Sequence, residues 1–190
     1  MTKKTLPFFE KLGVMNMVYS AMDVANYIIQ QSLANEKPIS NLKLQKILYY
    51  LQARYLVDYG KPLFNDDIQK WKYGPVVKSV YHEYKNYGSS AIRNVSSILN
   101  VETDDAGKIK DIRFEPFDDS CLLPSDKDII FETVKNLNKF GAFELVGFTH
   151  EHSIWKDHER EILLNISEPY TTKEIEDFFK NNKQEQIWLH

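Results

Sequence analysis

With 190 residues, 43% hydrophobic and 27% charged, the chain is long enough for one domain with its own core and lies in the ordinary globular range. A net charge of −3 gives the whole molecule no attraction to nucleic acid or anionic lipid, so any such role needs a local patch. The single cysteine, Cys121, excludes an internal disulfide and a cysteine-rich zinc site, and it fits a reducing cytoplasm.

Residues 1–18 read as an N-terminal arm. Leu6, Phe8, Phe9 and Leu12 are available to the body or to a partner, while Glu10 and Lys11 interrupt the apolar run too early for a signal peptide. No stretch approaches the ~20 apolar residues of a membrane span, and the expectation is a soluble, cytoplasmic protein with no membrane partner. The helical domain proper is expected over 19–182, with 183–190 as a C-terminal tail.

A first helix starts at Ser20, with Asp23 in capping-box position and Ala25, Ile28, Ile29 and Leu33 as its buried stripe. Ser40 caps a second helix. Leu44, Ile47, Leu48, Leu51 and Tyr55 share one face of it, and Gly60 stops it where a left-handed residue is needed. Pro62 and Asn65-Asp66-Asp67 mark turns, Ile68 to Trp71 is too short for anything but a small strand or extended link, and Pro75 suits the first turn of a third helix. Val77, Val80, Tyr81 and Tyr84 form that helix's stripe, and Gly88 ends it. Alternation around Asp104-Asp105-Ala106-Gly107 reads as a hairpin returning through Ile109 to Phe114. Ser125 and Asp128 read as the capping box of a further helix ending at Gly141. A short helix follows over about 142 to 150, and Thr171 and Glu174 open the last one, anchored by Ile175, Phe178 and Phe179. The expected fold is mainly α: a compact single-domain helical bundle with a minor β element of one hairpin and short strands.

Chemistry is sparse. There is no phosphate-binding glycine loop and no Gly-x-Ser-x-Gly elbow. His150 and His152 are two apart and diverge on a helix, unlike the one-turn spacing of helical zinc ligands. Thr149 and His150 instead read as a polar corner near Trp155. The adjacent pairs Asp66-Asp67 and Asp104-Asp105 lie where turns favour aspartate. No catalytic residue, metal ligand or cofactor is assigned, and the chain reads as a non-enzyme.

The densest pattern is "DIQKWKYGPVVKSVYHEYKNYGSS", residues 67–90, where aromatic and basic side chains interleave around a Gly-Pro step. From Lys37 to Gly88 nine cations face four carboxylates, a local +5. Exposed rings beside lysines would suit a protein hot spot or a single-stranded nucleic-acid groove. Buried, the same rings are the rim of a small core.

This region resembles a known family. Leu44-Gln45-Lys46, Leu48-Tyr49-Tyr50, Pro62-Leu63-Phe64, Trp71-Lys72-Tyr73-Gly74-Pro75-Val76-Val77, Val80-Tyr81 and Tyr84 match in order and spacing the phage-associated GepA/SocA-like family, the Panacea antitoxin domain. "FTHEHSIWKD" is similar to the family's Thr-His followed by Pro-Trp, with Ile154 where the family has proline. The resemblance spans roughly Ser20 to Lys180. It implies a compact helical antitoxin carried on mobile elements and encoded beside a toxin. Such a protein neutralises its toxin by direct binding, and in one branch acts as an adaptor to a AAA+ protease. The resemblance leaves open which residues touch the toxin; our reading takes Tyr49, Trp71, Gly74, Pro75, Tyr81, Thr149, His150 and Trp155 as architectural. Lys72, Tyr73, Tyr87, Lys46, Phe8 and Phe9 are the candidate contacts to a cognate toxin protein. A homo-oligomer is left open, and no catalytic role carries over. The competing reading, a nucleic-acid-binding regulator of its own operon, rests on the local +5 and lacks a clear recognition helix. A hydrolase built on His150 to His158 ranks last.

Overall fold

The helix that begins at Ser40 carries polar residues inside its apolar run, and the computed structural model explains them. The structure describes residues 18–104 and 107–189; the arm's Phe8 and Phe9 and the turn residues Asp105 and Ala106 lie outside them. Chain order gives α1 (Ala21–Ala34), α2 (Asn41–Tyr59), β1 (Ile68–Trp71), β2 (Gly74–Val77), α3 (Lys78–Tyr84), β3 (Ile98–Thr103) and β4 (Ile109–Glu115). They are followed by α4 (Pro124–Leu137), α5 (Ala142–Glu151), α6 (Ser153–Lys156), α7 (Glu159–Leu163) and α8 (Thr172–Asn181). Among the described residues the fold is therefore mainly α, with two separate two-stranded antiparallel sheets.

Helix α2 runs through the centre. The sequence marks one apolar face, yet every side chain from Leu44 to Ala53 is buried, because α1, α3, α4, α5, α8 and strand β2 pack around it. Both of its ends form as the sequence dictates. Ser40 Oγ accepts from the Lys43 N–H at 3.4 Å, and Gly60 stands at φ 67° with its N–H bonded to Leu56 O. Helix α1 likewise opens on Ser20, whose Oγ accepts from the Asp23 N–H.

Three expectations change. Pro75 does not open a helix. It lies in β2, paired with Lys70, and α3 starts only at Lys78; pairing with Ile68–Trp71 outweighs the local preference of proline for a first helical turn. Helix α4 begins at Pro124 with Leu123 as N-cap and no capping hydrogen bond, so Ser125 and Asp128 form no capping box. Proline takes the first helical position, and Asp126 instead accepts from the Tyr19 hydroxyl at 2.6 Å. Residues 183–189, expected as a tail, turn back onto the body. Trp188 is 1% exposed, packs on Phe179 and Tyr50, and its carbonyl accepts from Asn136 Nδ2. An indole recovers enough burial to hold so short a segment.

Candidate functional site

Polar residues on α2 hold the segment that carries the aromatic-basic pattern. Gln52 Oε1 accepts from the N–H groups of Leu63 and Phe64, and its Nε2 donates to Phe64 O. Two turns earlier on the same face, Gln45 Oε1 accepts from the Val77 N–H and its Nε2 donates to Asn41 Oδ1. Asn41 in turn donates to Tyr81 O. All three are buried, and each hydrogen bond to a buried backbone group spares a desolvation cost of about 1–3 kcal/mol. This seam straps residues 63–81 to the central helix. The spacing 41, 45, 52 was readable in the sequence as a polar stripe on an otherwise apolar helix, but only Gln45 falls within the family signature, and none of the three was given a role.

Between those straps stands the β1–β2 hairpin. Trp71 pairs with Gly74, so Lys72 and Tyr73 alone form its loop. Gly74 has φ 85°, and a Cβ there would stand 2.5 Å from Thr149 Oγ1 and 3.1 Å from Lys46 Cε. Only glycine allows this backbone to press so closely on its neighbours. Beneath it Lys46 is fully buried, and its Nζ donates to Pro75 O at 2.8 Å. Lys46 was expected among the partner contacts; the structure withdraws it from the surface. No carboxylate answers its charge among the described residues, and burial pulls its pKa down to about 7.

The second motif closes the same corner. Trp155 Nε1 donates to Trp71 O at 3.0 Å, and Trp155 stacks flat on His150 with centroids 3.8 Å apart. Thr149 is buried and donates to Val146 O. Burial, and then the nearby Lys46 ammonium, holds the His150 imidazole below its ordinary pKa. Tyr81 meets the Trp71 ring edge-on at 4.9 Å, and His82 follows at 5.5 Å. Thus Lys46, Trp71, Gly74, Pro75, Tyr81, Thr149, His150 and Trp155 meet around one hairpin. Tyr49 lies apart, fully buried, with its hydroxyl 3.1 Å from His152 Nδ1. His152, weighed in the sequence only as a zinc ligand, is 1% exposed, and burial lowers its pKa to about 4. Glu185 at 3.6 Å from Nε2 is too distant for a hydrogen bond to offset that burial.

What remains outside is small. Lys72 is exposed, and Tyr73 is 53% exposed with the Lys72 ammonium 5.7 Å from its ring centre. Tyr87 lies beyond the far end of α3, half-buried against Tyr84. The local +5 shrinks as a surface. Lys46 is sealed inside, Lys70 is buried against Glu174 at 2.8 Å, and Arg54 faces Asp58 and Glu132. Among the described residues no three His, Cys, Asp or Glu side chains gather as metal ligands, and no helix is long and apolar enough to cross a membrane.

These features define a mainly helical domain whose central helix carries a buried lysine and clamps a two-residue hairpin loop. The sequence model of the family described as "Antitoxin SocA-like, Panacea domain" matches residues 44–156. That match covers more than half of the chain, which therefore belongs to this family. A curated relative, "Antitoxin SocA" of Caulobacter vibrioides (strain NA1000 / CB15N), is 45% identical over 74 residues. The aligned stretch is 39% of this chain and 39% of that relative, well under half of its length. No solved structure matches the chain.

Proposed function

We propose that this chain is a cytoplasmic antitoxin that neutralises a co-encoded toxin protein by binding it directly, with no bond-making chemistry of its own. Membership of the SocA-like Panacea family supports the class of function. One observation carries the mode. Tyr73 is 53% exposed at the tip of a hairpin whose backbone is fixed from below by Lys46, Thr149 and Trp155. A ring presented on a fixed backbone loses little freedom on binding, which favours it as an interface anchor. Lys72 beside it supplies a cation for a carboxylate of the partner.

Co-expression with the neighbouring toxin gene tests this reading. The chain is expected to restore growth and to co-purify with the toxin. Tyr73→Ala combined with Lys72→Glu should weaken the complex by roughly tenfold or more, the scale of one interface anchor, with an unchanged melting temperature. A complex indifferent to both substitutions removes the hairpin tip from the interface. Absence of both rescue and co-elution removes the antitoxin reading. The adaptor form of the reading adds that the toxin's lifetime shortens when the chain is present, and a pulse–chase with and without the host AAA+ proteases decides it.

A further inference from the structure

A groove of about 580 Å³ lies between the 62–68 turn and the 168–172 segment. Its apolar lining includes Phe64, Ile68, Tyr170 and Ile175, all buried. On its rim Asp67 and Glu168 are exposed and, among the described residues, form no hydrogen bond or ion pair. The neighbouring Asp66 is committed, accepting from the Ala21 N–H and from Ser79 Oγ.

The chain enters the described structure beside the 62–64 segment, which forms one wall of this groove. The Tyr19 N–H donates to Leu63 O at 2.9 Å, and Tyr19 forms a parallel bridge with Phe64. The parallel pairing sets Val18 level with Leu63, next to Pro62, which also lines the groove. Ahead of it stand residues 1–17, with Lys3, Lys4 and Lys11 against Glu10, and Leu6, Phe8, Phe9 and Leu12 between them. At about 3.3 Å per residue, Lys11 lies within about 23 Å of Val18. Tethering also raises the local concentration of the segment to the order of millimolar, so modest contacts suffice.

We propose that residues 1–17 occupy this groove in the free protein, placing apolar side chains on its lining and lysines against Asp67 and Glu168. A basic, aromatic segment and an apolar groove with a carboxylate rim are complementary, and the entry point at Phe64 brings them together. The proposal does not rest on toxin binding.

Paramagnetic relaxation on the full chain tests it. A nitroxide is placed on Thr5→Cys in a Cys121→Ser background, and amide signals are followed in the ¹⁵N-labelled protein. Signals of Asp67, Ile68 and Thr171 are expected to lose at least about half their intensity, as a mostly occupied tethered contact requires. Asp67→Lys with Glu168→Lys should abolish the loss, and adding Lys3→Glu, Lys4→Glu and Lys11→Glu should restore it. The three lysine reversals alone provide a second disruption if the groove variant folds poorly. Broadening spread evenly over the surface, or unchanged by charge reversal, overturns the proposal. So does broadening when nitroxide-bearing unlabelled protein is mixed with labelled protein lacking the nitroxide, which identifies a second copy as the occupant. Broadening that arises only with the toxin bound overturns it as well.

Discussion

Replacing Lys46 with methionine separates the energetics of the buried charge from those of the hairpin above it. Methionine keeps the side chain out to Cε and removes the ammonium. Burial lowers the folded-state pKa of Lys46 from 10.5 to about 7. The unfolded chain therefore binds the extra proton between those values, and stability must rise with pH across that window. At about 1.4 kcal/mol per unit, the full difference is about 5 kcal/mol. At pH 7 about 4 kcal/mol of it is still being lost. Methionine forgoes the hydrogen bond to Pro75 O, leaving a buried carbonyl at a cost of about 1–3 kcal/mol. Lys46→Met is accordingly expected to be more stable than the wild type at pH 7 by about 2 kcal/mol.

The decisive measurement is the stability difference between the two proteins, from urea unfolding at pH 7, 8 and 9. The gap should close by about 2 kcal/mol across this range. Groups common to both proteins cancel, and the range ends before unfolded tyrosines ionise near pH 10. The His150 imidazole, which the Lys46 ammonium depresses, should titrate higher in the variant by NMR. A difference that stays flat from pH 7 to 9 would refute the reasoning, because Lys46 would then stay charged inside the fold.

Three other outcomes are expected. His152, with a folded pKa of about 4 against 6.5, contributes stability that is lost as pH falls through that interval. About 2 kcal/mol should disappear between pH 7 and 5 in urea unfolding, and His152→Gln should lose this dependence. Gly74→Ala forces a Cβ to 2.5 Å from Thr149 Oγ1 at φ 85°, costing about 3 kcal/mol or more through strain and overlap. Thr149→Ala in the same chain should recover part of that loss in thermal melts, where independent effects would simply add. Gln52→Leu leaves the N–H groups of Leu63 and Phe64 and the carbonyl of Phe64 without their partner. It should lower stability by about 3 kcal/mol or more, whereas Gln52→Glu keeps the acceptor and should retain the two N–H contacts in hydrogen exchange.

Elements with strong local rules were legible in the sequence. Ser20, Ser40 and Gly60 bound their helices as capping chemistry requires, and alternation marked β3 and β4. Misreadings arose where a distant partner decided. Pro75 is drawn into a strand by Ile68–Trp71, and Trp188 is drawn inward by Phe179 and Tyr50. Lys46 misled for a related reason. A lysine among leucines and tyrosines reads as the wet edge of a helix until neighbours are known on every side. On α2 those neighbours come from six other elements, and one of them contributes a carbonyl in place of a carboxylate.

The same geometry divides the signature by accessibility. Gln45, Lys46 and Tyr49 are buried, as are Gly74 and Pro75, and each acts on the backbone or core of its own chain. A side chain so placed can be required wherever this hairpin is built, whatever the hairpin later touches. The two loop positions obey a different constraint. The side chains of Lys72 and Tyr73 are exposed, so replacing them should leave stability intact and change only what the surface can bind. Stability and binding measured together should therefore separate Tyr73→Ala from Gln45→Leu. Loss of binding without loss of stability is expected for Tyr73→Ala, and loss of both in proportion for Gln45→Leu. A Tyr73→Ala protein that unfolds early would mean that the tip helps hold the hairpin, and the division between scaffold and contact would fall.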